Sequence, residues 1–142
     1  MKKKIIIDKP VVIKKRITVQ AAKSKGRKLQ QWTAKQISEL LGIPCGKDEE
    51  ICSREMGQSG TDVRLSRSVK KLFPYSIETK CQERFNIVSA IEQAKANQEE
   101  GTNWLLIFSK NRFDKIASME ATHFFSLLKR IKNLEDIKKK AK

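Results

Sequence analysis

Apolar side chains recur at helical spacing in three stretches of the chain, and each stretch predicts an amphipathic helix. The first covers residues 27–41, with Gly26 marking its start and Gly42 ending the run. The other two helices are predicted over residues 88–97 and 120–134. The apolar positions of the last helix include two adjacent phenylalanines, which could belong either to the core or to an interface.

The stretches between these helices carry strand patterns. Residues 61–66 alternate polar and apolar side chains, which predicts a half-buried strand, and Trp104–Phe108 is an apolar run typical of a central, fully buried strand. Further strands are predicted over 11–19 (or an extended arm), 51–53 within a loop over 45–60, 74–80, and 115–118 at an edge, with a connector over 67–73. This order of elements predicts an α/β fold, with a central mixed sheet flanked by helices.

Charge changes the picture, because it is unevenly distributed. The 142 residues fit one domain and carry 31 Lys and Arg against 16 Asp and Glu, a net charge of +15. Residues 1–30 hold 11 of the basic residues and one acid, and residues 129–142 hold seven and two, so the middle is neutral. We therefore expect a basic arm over residues 1–24, a folded domain over 25–128 and a basic helix or tail over 129–142.

Basic ends of this kind commonly contact phosphate backbones, so the composition favours a nucleic acid as the partner. An anionic membrane surface is the alternative, but the N-terminal arm lacks the aromatic residues that would anchor it to lipid. The longest apolar run is far below the roughly 20 residues of a membrane span. Three cysteines without framework spacing favour a reduced, cytoplasmic compartment. We expect the only histidine, His123, to be structural, and Trp32 and Trp104 to pack in the core.

The chemistry is concentrated in an acid on one predicted strand and an acid-x-Lys triplet on the next. Residues two apart in a strand share a face, so Glu78 and Lys80 should project together, and Asp62 can reach them if the strands pair. Two carboxylates can hold Mg²⁺, which keeps water ligands for a substrate phosphate, while Lys80 orients an attacking water. Alternatively, Asp62 is a turn residue, and Glu78 and Lys80 form an exposed ion pair.

At these residues the chain resembles the PD-(D/E)XK nucleases, through Gly60-Thr61-Asp62 and Glu78-Thr79-Lys80. Lys25-Gly26-Arg27, Ser53-Arg54 and the loop over 57–60 resemble archaeal-type Holliday-junction resolvases. The resemblance covers roughly residues 25–110 and extends to small phage-encoded endonucleases of the same superfamily. It implies a restriction-endonuclease-like fold and a Mg²⁺-dependent DNA endonuclease, with Mn²⁺ able to replace Mg²⁺.

The resemblance also assigns residues and partners. Branched DNA such as a four-way junction would be cut by a homodimer, with no small-molecule substrate and no membrane association. Asp62 and Glu78 would hold the metal, Lys80 would act at the water, and Gln82 and Gln93 would assist. DNA contacts are expected from Lys25, Arg27, Arg54, Ser59, Arg64, Arg67 and Arg84. In the final helix, Phe124, Phe125 and Leu128 could form the dimer interface, with core burial equally open.

One feature departs from the resolvase pattern, which has a metal-binding Glu on the first helix. This chain has Gln30 and Gln31 there, and Glu39, Asp48 or Glu49 are candidates to replace the missing acid. The departure leaves open a non-catalytic, basic DNA-binding protein. A nicking or restriction-type nuclease of the same superfamily also remains open.

Overall fold

A five-stranded mixed sheet, flanked by helices, organises the fold. The computed structural model of the protein describes residues 16–55 and 57–142. The strands are β1 (Ile51–Ser53), β2 (Val63–Leu65), β3 (Tyr75–Cys81), β4 (Asn103–Ser109) and β5 (Ile116–Ser118), and they lie in this order across the sheet. The helices are α1 (Val19–Leu41), α2 (Arg67–Leu72), α3 (Ile87–Ala96) and α4 (Ala121–Lys140). The predicted α/β class with a mixed sheet and flanking helices is confirmed.

Strands β3 and β4 form the centre of the sheet and are its one parallel pair, while the other neighbours are antiparallel. Parallel neighbours need a crossover connection, and α3 supplies it. On one sheet face, α1 packs Leu29, Ala34 and Ile37 on a cluster that includes Ile77 and Leu105. On the other face, α3 packs Ala90 and Ala94 on Trp104 and Leu106. The two faces of β3 therefore meet different helices.

Helix α1 begins earlier than the pattern predicts. Thr18 caps the helix by accepting a hydrogen bond from the Ala21 amide at 3.2 Å, so Gly26 lies inside the helix and the predicted start there is wrong. Most side chains in the first two turns of α1 face solvent, so these turns lack the apolar periodicity from which the helix was predicted. Of the strand or arm predicted over 11–19, residues 11–15 lie outside the described residues, and Val19 is helical. The end at Gly42, with φ 67°, is as predicted.

The remaining elements mostly follow the sequence pattern. The strands predicted over 51–53, 61–66, 74–80, 104–108 and 115–118, and the helix over 88–97, are all present with small shifts at their ends. Three predictions need correction. Residues 67–72 form α2, capped by the Ser66 hydroxyl, instead of a plain connector. Helix α4 continues past the predicted end to Lys140. Trp32 is 38% exposed, with Lys115 over its ring, so its predicted place in the core is wrong, whereas Trp104 is buried as expected.

Helix α4 differs from the other long helices, because none of its residues is buried. Phe124, Phe125 and Leu128 are all exposed, so the option of core burial for them is wrong. His123 has the structural role expected of it, since its ring bonds to the Tyr75 hydroxyl. Within the described part of the chain, no helix is both long and apolar enough to cross a membrane.

The buried side chains of β4 should contribute strongly to the free energy of unfolding. Leu106 is fully buried, so Leu106→Ala should remove apolar contacts and leave a cavity, lowering the free energy of unfolding by about 2–5 kcal/mol. Leu40 is 70% exposed, and Leu40→Ala is the matched control, with an expected change within about 0.5 kcal/mol. Urea unfolding of the two variants measures both values. Equal losses would contradict the assignment of the core.

Candidate active site

Glu78 is a carboxylate in the middle of the central strand β3, with only 3% of its surface exposed. It pairs in register with Leu106, which packs against α3, so Glu78 also faces α3. A buried carboxylate is costly unless polar groups surround it. Here Lys80 Nζ lies 3.5 Å from Glu78 Oε1, and Asn97 Nδ2 donates a hydrogen bond of 3.2 Å to Oε2. The alternative of an exposed ion pair does not hold for Glu78.

Lys80 lies two residues after Glu78 and projects to the same face, as the strand periodicity predicts. Its Nζ donates a hydrogen bond of 2.7 Å to Gln93 Oε1 on α3. Gln93 and Asn97 are four residues apart, so the end of α3 presents both to β3. The crossover helix thereby holds the acid and the lysine of the triplet in place.

Asp62 lies immediately before β2, where its backbone N–H donates to the carbonyl of Ile77 at 2.9 Å. Its carboxylate Oδ2 accepts two hydrogen bonds from Thr79, from the amide at 2.7 Å and from the hydroxyl at 3.1 Å. Thr79 is the middle residue of the triplet, between Glu78 and Lys80. The Asp62 carboxylate is therefore fixed against the same segment of β3, although Asp62 lies just outside β2 and not within it as the sequence predicts.

The Glu78 carboxylate has a raised pKa in this environment. Burial raises the pKa of Glu78 above its ordinary value, and the nearby charge of Asp62 raises this pKa further. The hydrogen bond from Asn97 and the charge and hydrogen bonding of Lys80 lower the pKa of Glu78, but they offset only part of the increase. When both carboxylates are ionised, they carry two negative charges against the one positive charge of Lys80.

The donor set of this site consists of two carboxylates. In the described part of the chain, no three His, Cys, Asp or Glu side chains lie close enough together to hold a metal ion. Mg²⁺ is commonly bound through one or two carboxylates and keeps several water ligands. Asp62 and Glu78 fit this chemistry, because both are oxygen donors and their two carboxylates outnumber the one ammonium group beside them.

The structure does not bring a replacement acid to the site. Glu39, Asp48 and Glu49 are exposed and do not form a three-acid group with Asp62 and Glu78, and Glu39 pairs with Lys35 at 3.8 Å. Of the two glutamines, Gln31 is exposed and Gln30 is buried. Gln30 Oε1 has no hydrogen-bond partner among residues 16–55 and 57–142.

Gln82 is the predicted catalytic residue that lies apart from the others. Strand β3 ends at Cys81, so the alternation that aligns Glu78 and Lys80 stops before residue 82. Gln82 is exposed and lines a cavity of about 370 Å³ together with Lys25. Lys25 Nζ donates to Asn111 Oδ1 there.

Three of the predicted DNA contacts, Arg27, Arg54 and Arg64, line a groove of about 570 Å³ between α1 and β1. Arg54 connects this groove to the site. Its side-chain Nε donates a hydrogen bond to the carbonyl of Thr61, and its backbone N–H donates to the carbonyl of Asp62. Gly60 has φ 104°, and a Cβ there would lie 3.1 Å from the Arg54 guanidinium. The other predicted contacts, Ser59, Arg67 and Arg84, are exposed and do not line the groove.

Sequence reasoning missed two residues of the site, Asn97 and Thr79. Asn97 follows Gln93 by one helical turn, and that spacing is the signal that would have identified it. Thr79 could not be inferred from alternation, because its side chain belongs to the opposite face of β3 from Glu78.

Glu78 should make the fold less stable as the pH rises. Its folded-state pKa lies above its ordinary value of 4.5, so the folded chain holds this proton more tightly than the unfolded chain. The contribution is fully present below pH 4.5 and is lost as the pH rises through the raised pKa. In urea unfolding at a series of pH values, the free energy of Glu78→Gln minus that of wild type should therefore increase with pH.

The exposed Glu100→Gln variant is the control, and it should retain the wild-type trend with pH. A difference between Glu78→Gln and wild type that stays constant across this range would contradict the raised pKa.

The arrangement brings together two carboxylates, an ammonium group and two amides, and part of the lysine side chain reaches solvent. Such a set can bind a cation and orient a water molecule beside it. Comparisons with models of known protein families, with curated proteins and with solved structures found no match.

Proposed function

We propose that this protein is a Mg²⁺-dependent endonuclease that hydrolyses phosphodiester bonds of DNA. The observation that carries the proposal is the cluster at β3, where buried Glu78 lies 3.5 Å from the Lys80 ammonium group and the intervening Thr79 holds the Asp62 carboxylate through two hydrogen bonds. An ion pair with only a structural role would not need a second carboxylate nearby. It would also not need an amide on the neighbouring helix to hold the lysine. The resemblance to PD-(D/E)XK nucleases supports the same chemistry.

Each residue of the cluster has a role in this proposal. Asp62 and Glu78 would hold Mg²⁺, which when bound stabilises negative charge at the scissile phosphate. Lys80 donates a hydrogen bond to the attacking water, and Gln93 fixes the direction of its ammonium group through the 2.7 Å bond. Asn97 orients the Glu78 carboxylate. Thr79 holds the Asp62 carboxylate against β3 through two hydrogen bonds, which fixes its position relative to Glu78.

DNA is the proposed substrate because of charge and shape. The groove lined by Arg27, Arg54 and Arg64 adjoins the backbone of Asp62, so a phosphate strand bound there would continue towards the site. The basic ends of the chain add contacts that do not depend on base sequence. Branched DNA, such as a four-way junction, is the form that the resolvase resemblance implies. Two symmetric cuts then require two copies of the chain.

A second candidate function is DNA binding without cleavage. The observation that favours it is the absence of a third acidic ligand within residues 16–55 and 57–142. In that case the cluster on β3 would serve the fold alone, and the basic surface would carry the function. The two functions differ in whether a divalent metal produces cleavage.

Removing either carboxylate should abolish cutting while binding persists. Asp62→Ala and Glu78→Gln should each reduce the cleavage rate of a labelled four-way junction in Mg²⁺ by at least about 100-fold, because each removes an oxygen donor from the metal. Gel-shift titrations in EDTA should give wild-type affinity for both variants. Linear duplex and single-stranded DNA, measured in parallel, establish the preferred substrate.

Glu100→Gln is the matched control, because it removes an exposed carboxylate outside the cluster, and it should cut like wild type. Full activity of Asp62→Ala or Glu78→Gln would refute the site assignment. If wild type cuts none of the substrates in Mg²⁺ or Mn²⁺ but binds them, the non-catalytic function is correct.

The basic N-terminal segment should contribute directly to DNA affinity. Residues 1–15 carry six lysines and one acid, and removing them leaves the Thr18 cap and α1 intact. The slope of log affinity against log salt should become shallower by about 0.9 for each phosphate that the truncated chain no longer neutralises.

The control for this truncation is a full-length chain in which the six lysines of residues 1–15 are replaced by glutamine, and it should show the same shallower slope. An unchanged slope in both proteins would show that this segment does not contact DNA.

A further inference from the structure

Helix α4 carries an extensive apolar surface outside the core. None of its 20 residues is buried. Six large apolar side chains along it are between 43% and 65% exposed, namely Phe124, Phe125, Leu128, Ile131, Leu134 and Ile137. Exposed apolar side chains in this number on one element mark an interaction site.

The body of the protein holds α4 near its first turn. His123 Nε2 and the Tyr75 hydroxyl form a hydrogen bond of 2.7 Å, and their rings contact edge to face. After His123, the side-chain hydrogen bond and the ion pair that α4 makes with the described residues stay within the helix itself. The rest of α4 is therefore free to meet a partner with its apolar side chains.

The charge of this part of the chain restricts the partner. Residues 129–142 hold seven Lys and Arg against two acids, and one of these acids, Asp136, already pairs with Lys132 at 3.7 Å. A second copy of α4 would bring the same positive charge beside it. Residues 1–15 would do the same, because they hold six lysines and one acid. The charge therefore favours an anionic surface.

Lysines of α4 follow exposed apolar side chains by one helical turn. Lys129 lies four residues after Phe125, and the same spacing relates Lys138 to Leu134. Residues four apart are neighbours on a helix surface, so each lysine stem lies beside an apolar side chain while its ammonium group extends beyond it. This is the arrangement of a helix that lies in the surface of an anionic membrane.

The apolar side chains distinguish a lipid surface from DNA as the anionic partner. The phosphate backbone of DNA attracts ammonium groups but offers no apolar phase in which phenylalanine and leucine side chains can be buried. A bilayer with anionic headgroups offers both. Phe124 and Phe125 are also the kind of aromatic anchor that residues 1–15 lack.

We propose that α4 is a membrane-surface helix, which attaches the folded domain to bilayers with anionic headgroups. Its apolar side chains enter the boundary of the acyl chains, and its lysines contact the headgroup phosphates. The helix lies along the surface instead of crossing it, since no helix of the described chain is long and apolar enough to span a bilayer. The proposal departs from the family resemblance, which implies no membrane association. It does not depend on the nuclease proposal, because α4 lies outside the cluster at β3.

Flotation of the full chain with lipid vesicles, in the absence of DNA, tests the apolar face. Wild type should float with phosphatidylcholine vesicles that contain about 30% phosphatidylserine, and not with phosphatidylcholine alone. The double variant Phe125→Ser with Leu128→Ser keeps the net charge and should lower the partition coefficient by at least about tenfold, because less apolar surface leaves water. The matched control is Leu40→Ser with Leu72→Ser, which removes side chains 70% and 64% exposed outside α4 and should bind like wild type.

Removal of charge tests the headgroup contacts. Each basic residue near an anionic surface contributes about fivefold, so replacing Lys138, Lys139 and Lys140 by glutamine should lower the partition coefficient by about 100-fold. The matched control replaces three exposed lysines outside α4, namely Lys23, Lys28 and Lys71, and should lose less than about tenfold. Far-UV circular dichroism should show that all four variants retain their helices.

Three outcomes would overturn the proposal. Equal binding by the two serine double variants would show that net charge alone attaches the chain to vesicles. A wild-type chain that binds neither kind of vesicle would assign the apolar face to another occupant, such as an acidic protein. Sedimentation of wild type as a dimer that Phe125→Ser with Leu128→Ser converts to a monomer would assign this face to a second copy. Because no DNA is present, none of these results depends on whether the protein cuts DNA.

Discussion

The buried carboxylate of Glu78 is the constraint on which the rest of the structure depends. An acid in the central strand is stable only where polar groups replace water, and the chain provides Lys80 and Asn97 on its two oxygens. The fold must therefore carry a helix with polar residues over this face of β3. Helix α3 meets this need, because it packs through Ala90 and Ala94 and presents Gln93 and its C-cap residue Asn97 to the strand.

The topology explains why these groups meet. Parallel pairing of β3 and β4 requires a crossover, and the crossover helix must lie on one sheet face. Alternation then sends Ile77 and Thr79 towards α1, and Glu78 and Lys80 towards α3. On the other side, β2 is only three residues long, so β3 extends past it and the Thr79 amide needs another acceptor. The Asp62 carboxylate is that acceptor, which brings the second acid to the site.

Sequence patterns predicted this site well where strand periodicity governs it. Alternation along β3 accounts for Glu78 and Lys80, which share a face. Asp62 lies before β2 and meets the same segment through its hydrogen bonds with Thr79, and Gln93 was assigned through the family resemblance. Gln82 was assigned through the family resemblance alone, and it lies beyond the end of β3 at Cys81, where strand alternation no longer directs its side chain. The start of α1 and the whole of α2 were missed because hydroxyl caps at Thr18 and Ser66 begin them, without an apolar stripe.

Helix α4 shows what sequence periodicity alone cannot predict. Its periodicity correctly predicts a helix with an apolar face, but periodicity cannot distinguish a face that meets a sheet from one that meets another chain. The distinction requires the tertiary contacts. In the structure no residue of α4 is buried, and the hydrogen bond between His123 and Tyr75 joins the first turn of the helix to the sheet. The exposure of its apolar positions therefore follows from how the chain packs and not from the periodicity itself.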